Sequence, residues 1–99
     1  MFVEFDDDDL RRLYEDTSFR LRGIGRDLTR AYRKVVGFVQ AASDERDLHA
    51  MRSLHFEKLE GRRSGQHSLR LNRQWRLIVR LEMKQERKQV VVIEIVDYH

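Results

Sequence analysis

Midway along the chain the apolar residues change their period, and that change confines the fold more than any other feature. Between residues 26 and 42 the apolar positions are Leu28, Ala31, Tyr32, Val35, Val36, Val39 and Ala42. Steps of three and four put them on one face of an amphipathic helix. From residue 66 onward the step is two. Leu69 and Leu71 alternate with Ser68, Arg70 and Asn72, and Trp75, Leu77, Val79 and Leu81 alternate with Arg76, Ile78 and Arg80. Such strands have one apolar face and one largely basic face. Residues 89–96 are apolar on both faces through Val90, Val91, Val92, Ile93, Ile95 and Val96, as a central strand requires. The pattern predicts an α+β fold, with N-terminal helices packed on a small, mainly antiparallel twisted sheet of four to five strands.

Shorter signals fill in the order of elements. Phe2, Val3, Glu4 and Phe5 open as a strand, and Asp6 or Asp7 caps a short helix that runs through Tyr14, where acidic side chains suit the free amides of a first turn. Gly23 and Gly25 read as turn residues, and Ser43-Asp44-Glu45 caps a third helix ending near Met51. Residues 54–59 and 66–72 read as strands joined by a basic, glycine-bounded loop at 61–65. A hairpin loop of Asn72-Arg73-Gln74 pairs Leu71 with Trp75 and Arg70 with Arg76, whereas an even-numbered loop mixes leucines and arginines on each face. The odd loop sets Arg70, Arg76 and Arg80 on one face, and Leu69, Leu71, Trp75, Leu77 and Val79 on the other, against the helices. On the long helix, the polar side carries Arg26, Asp27, Arg30, Arg33, Lys34 and Gln40, and Phe38 falls outside the main stripe at the core edge.

A chain of 99 residues with no proline, repeat or linker has room for one core, so residues 1–99 are expected to form a single domain. Cysteine is absent, which excludes disulfides and thiolate zinc sites, and no metal or other cofactor is expected. No apolar stretch reaches the ~20 residues of a membrane span, and the amino-terminal end is acidic rather than an export signal. The expected location is cytoplasmic, with no membrane partner. Charge is divided unevenly: residues 1–16 hold seven acids against two arginines, and residues 52–88 hold eleven bases against four acids. The basic stretch is the footprint of a surface for a polyanion, or else a solvated face. Within it Arg62, Arg63, Arg70, Arg73 and Arg80 are the candidate polyanion-binding side chains.

Three motifs in order along the chain carry a family resemblance: Leu54-His55-Phe56-Glu57-Lys58, then Ser68-Leu69-Arg70-Leu71-Asn72-Arg73-Gln74-Trp75-Arg76-Leu77, then the closing Asp97-Tyr98-His99. Together they resemble the HigB branch of the RelE/ParE toxin superfamily. The resemblance implies a type II toxin that enters the ribosomal A site and cuts messenger RNA there. It also implies a HigA-like helix-turn-helix antitoxin as partner, through which alone the toxin meets operator DNA. Carried over by position, the functional residues it implies are His55, Lys58, Arg76, Asp97, Tyr98 and His99.

The chemistry needs residues of these kinds. A ribonuclease that uses the RNA's own 2′-hydroxyl as nucleophile requires a proton acceptor, cations for the phosphorane, and a proton donor for the leaving 5′-oxygen. Histidine, with a reference pKa of ~6.5, suits both proton transfers. Lys58 and Arg76 suit the growing phosphate charge, Tyr98 a stacked nucleotide, and Asp97 the orientation of a histidine or arginine. The roles of the two histidines stay open, with His99 preferred as base and His55 as acid or phosphate ligand. Trp75 and Tyr32 read as core, and His49 and His67 as structural. Two other readings compete: a gyrase-directed toxin of the same superfamily, and a non-catalytic nucleic-acid-binding module working through Arg70, Arg76 and Arg80.

Overall fold

The apolar stripe of the long helix is realised as α2 (Arg26–Ala41), which buries Leu28, Tyr32, Val35, Val36 and Val39. The structure, a computed structural model, describes residues Met1–Tyr98. Two shorter helices flank α2. In α1 (Asp8–Glu15) the Asp7 carboxylate accepts from the amides of Asp9 and Leu10, and Leu10 and Leu13 are buried. The buried Tyr32 hydroxyl donates to the Leu10 carbonyl at 2.7 Å, tying the two helices together, and desolvation pushes its phenol pKa up. Asp44 caps α3 (Glu45–Ala50), which inserts Leu48 into the core.

Five strands form one sheet: β1 (Phe2–Phe5), β2 (Glu57–Lys58), β3 (Gln66–Arg70), β4 (Trp75–Lys84) and β5 (Arg87–Asp97), in the order β1-β5-β4-β3-β2. Among the described residues only the β1–β5 pair is parallel. The run that is apolar on both faces is thus an interior strand, β5, held between β1 and β4. Leu69, Leu71, Leu77, Val79, Val90 and Val92 join the helical residues in one apolar cluster. The hairpin has the odd loop: Arg70 lies opposite Arg76, and the Leu71 amide donates to the Trp75 carbonyl at 2.9 Å. The Asn72 carboxamide holds the turn by accepting from the amides of Gln74 and Trp75 at 2.9 and 2.8 Å.

Two local departures from simple alternation shape the site. Residues 54–59 are not one strand. Arg52–Leu54 forms a 3₁₀ turn that ends at His55 in the left-handed region (φ 44°, ψ 53°), and only Glu57 and Lys58 pair with β3. The left-handed residue redirects the chain so that Leu54 and Phe56 are both buried, with the Phe56 ring between His49 and His67. In β5, Glu94 lies opposite Ile78 and Val92 opposite Val79, so Ile93 is an extra residue, a bulge. Strict alternation would put Glu94 on the core face with Val90 and Val92, where an unpaired carboxylate costs several kcal/mol. The bulge sets it on the outer face, where Arg63 meets it at 2.5 Å.

Candidate active site

The outer face of the sheet gathers its functional side chains at the end where β3, β4 and β5 meet the turns. Arg70 and Arg76 stand directly opposite one another there. Arg76 is the anchored member, with only 12% of its side chain exposed. Its Nη1 donates to the His55 carbonyl at 3.0 Å, and its Nη2 lies 3.8 Å from a Glu57 carboxylate oxygen. The Tyr98 ring sits under the guanidinium, 4.9 Å from Cζ to ring centre, and is half exposed. Arg70 Nη1 lies 3.4 Å from His55 Nε2. Because a guanidinium only donates, Nε2 accepts from it only in the tautomer that carries the proton on Nδ1.

His55 reaches this cluster from the left-handed end of a 3₁₀ turn rather than from a strand. The β5 bulge brings Tyr98 to it: past Ile93, Ile95 returns opposite Leu77 on the core side, and Val96 opposite Arg76 on the outer side. The Tyr98 amide then donates to the Gln74 carbonyl at 2.7 Å, continuing the ladder beyond the last paired residue. Asp97 lies opposite Trp75, on the alternate face, and accepts from the Gln74 carboxamide at 2.9 Å. It thus braces the turn beneath the site.

The remaining sequence candidates are spread more widely. Glu57 pairs with Ser68 and Lys58 with His67, so Lys58 faces the side of the edge strand away from Arg76. Arg80 is bound by two carboxylates, Glu82 at 2.6 Å and Asp6 at 3.4 Å, and Arg63 by Glu94. Arg62 and Arg73 have no ion-pair or hydrogen-bond partner among the described residues and lie in the 3₁₀ turn Gly61–Arg63 and the hairpin turn. His99, the candidate base, lies outside the described residues. His49 and His67 flank Phe56, and burial lowers the His67 pKa, with the charges of His49 and Lys58 adding to the effect. Glu57 and Glu94 were absent from the candidate set. The signal for Glu94 was available: one acid in an otherwise apolar run, at a parity that only a bulge satisfies.

A model of the RelE-like toxin of the type II toxin-antitoxin system HigB matches residues 3–99. The chain belongs to this family. Toxin HigB-1 of Vibrio cholerae is 38% identical to this HigB-like toxin over 78 residues, which span 79% of this chain and 81% of that protein. The fold is that of the wider superfamily: a YoeB/ParE toxin from Agrobacterium tumefaciens superposes over the whole of both chains with a TM-score of 0.56 at 14% identity. As a type II toxin, the HigB-like chain has an antitoxin as its partner.

Proposed function

We propose that this toxin cuts messenger RNA in the ribosomal A site and so stops translation. The observation that carries the reading is the meeting of His55, Arg70, Arg76 and Tyr98 on one solvent-facing end of the sheet. The scissile phosphate lies over Arg76 and Arg70, whose fixed forks meet the charge that grows on its oxygens. Tyr98 stacks on or orients a neighbouring nucleotide. One histidine takes the proton of the 2′-hydroxyl, whose oxygen attacks phosphorus. The phosphorus–5′-oxygen bond breaks as a second group protonates that oxygen, leaving a 2′,3′-cyclic phosphate and a 5′-hydroxyl. His99 is assigned as base and His55 as acid or phosphate ligand, with Asp97 positioning the terminal segment. Lys58, Arg62 and Arg73 draw the RNA backbone towards the site, and Arg63 and Arg80, already paired with carboxylates, contribute less. The antitoxin is proposed to be a HigA-like helix-turn-helix protein that carries the toxin to operator DNA. The toxin is assigned to the cytoplasm, and among the described residues no helix is long and apolar enough to cross a membrane.

Brief expression followed by mapping of messenger 5′ ends tests this. New ends in frame within translated codons are expected from the native chain, and their loss from His99→Ala and Arg76→Lys. The lysine keeps the charge but not the fork that holds the His55 carbonyl, and a loss of about 10²-fold is expected. Growth arrest without new ends would remove the nuclease reading and favour a gyrase-directed toxin.

A further inference from the structure

A second basic feature lies on a different part of the molecule, on the solvent side of α2. A cleft of about 370 Å³ is lined by Arg20, Arg26, Thr29, Arg30 and Arg33 and by no carboxylate. Two of these arginines are held in place without being neutralised. Arg33 donates from Nε to the Leu13 carbonyl at 2.8 Å and from Nη2 to the carbonyls of Asp16, Thr17 and Phe19 at 3.2 to 3.4 Å. Arg20 donates to the carbonyls of Thr17 and Phe19 at 2.9 and 3.1 Å. Arg26 and Arg30 have no ion-pair or hydrogen-bond partner among the described residues. The same stripe of α2 contains Thr29, which is only 5% exposed and whose hydroxyl has no hydrogen-bond partner. A helical threonine usually answers its hydroxyl through the carbonyl one turn back. Here the Gly25 carbonyl accepts the Thr29 amide at 2.9 Å, but the hydroxyl makes no hydrogen bond to it. Gly25 also gives α2 no side-chain cap, so the first-turn amides add positive potential at this end, which Asp27 in the same turn partly offsets.

We propose that this cleft binds a phosphate group of an RNA backbone, as a second contact separate from the cutting face. Like charges gathered without counter-ions repel one another and are relieved by an anion. Several donors approaching from different directions suit a tetrahedral oxyanion better than a planar carboxylate. The RNA source of the phosphate rests on the function proposed above, whereas the anion site rests on the cleft alone.

The test is fluorescence anisotropy with a labelled twelve-nucleotide single-stranded RNA, 2′-O-methylated so that 2′-hydroxyl attack is impossible, across a range of salt. The full chain is compared with R26A/R30A, whose exposed side chains make no hydrogen bond or ion pair among the described residues, and with Thr29→Val, which keeps shape and removes the hydroxyl. Circular dichroism checks both folds. Each variant is expected to bind about tenfold more weakly. The double variant is also expected to lower the salt slope by roughly 0.7, as losing one single-strand phosphate contact does. Unchanged affinity in either folded variant overturns the site. Equal competition by inorganic phosphate, per phosphate, or by an aspartate-rich peptide overturns the RNA assignment in favour of a free anion or an acidic protein. Message cleavage is scored separately: a chain that binds RNA through the cleft but cuts nothing retains this site and loses the nuclease reading, and the converse result does the reverse.

Discussion

His55 shows how a single residue is made to serve both fold and site. A non-glycine residue at φ 44° is strained, by about 1 to 3 kcal/mol, although histidine tolerates this region better than most residues. His55→Gly is therefore expected to be more stable than His55→Ala by about 1 kcal/mol in chemical denaturation, because glycine enters the left-handed region freely. Both variants should lose cleavage. Equal stability would mean that the strain is absent. His67 gives a prediction in pH. Burial depresses its folded pKa below the ordinary ~6.5. Above that value both states are neutral and nothing is contributed; as pH falls below it the unfolded chain takes the proton first, and stability is lost until the folded value is passed. The drop in melting temperature between about pH 7.5 and about pH 5.5 should be smaller in His67→Gln than in the native chain. An equal or larger drop would contradict the burial of a neutral imidazole. At this scale the residue types of the site were legible from the motifs. The backbone state of His55 was not, because a strand pattern and a 3₁₀ turn ending in a left-handed residue both bury Leu54 and Phe56.

At the scale of elements, alternation was a reliable guide wherever one face was plainly apolar. The helix α2 and the odd hairpin loop follow directly from period and from the need to keep Arg70 and Arg76 off the core, and the cap signals at Asp6 or Asp7 and at Ser43-Asp44-Glu45 are met by Asp7 and Asp44. It failed in β5, where both faces are apolar and register is weakly specified by hydrophobicity. There the one informative residue is Glu94. Its place outside the core predicts an asymmetry between two deletions in the same strand. Removing Ile93 takes out the bulge residue and leaves Glu94 opposite Ile78 and Tyr98 beside Arg76, so the protein should fold. Removing Ile95 sets Glu94 opposite Leu77, on the core face, and should cost at least about 3 kcal/mol or abolish folding. Equal tolerance of the two deletions, read by thermal melts, would contradict the assigned bulge. The pairing of Glu57 with Arg76, and the turning of Lys58 away from it, had no signature in the sequence, because a strand of two paired residues has no period to read.

For the whole molecule, the basic surplus between residues 52 and 88 resolves into unequal parts. Some of its cations are tied to carboxylates, as Arg63 and Arg80 are, whereas Arg62 and Arg73 are not. Charge counting locates the stretch, but only tertiary pairing decides which cations are available. We propose that residues 1–99 form one domain, since β1 from the amino-terminal end pairs with β5 and Tyr32 joins α2 to α1. Thermal unfolding should then follow one transition with coincident far- and near-ultraviolet signals. Two separated transitions would contradict it. The central claim concerns chemistry on a message, and the most direct measurement is to present purified toxin with ribosomes programmed by an end-labelled messenger and to analyse the termini of the products. The account predicts cuts at the codon in the A site that end in a 2′,3′-cyclic phosphate and a 5′-hydroxyl, and that are lost with Arg76→Lys. An intact message, or fragments that begin with a 5′-phosphate, would contradict it.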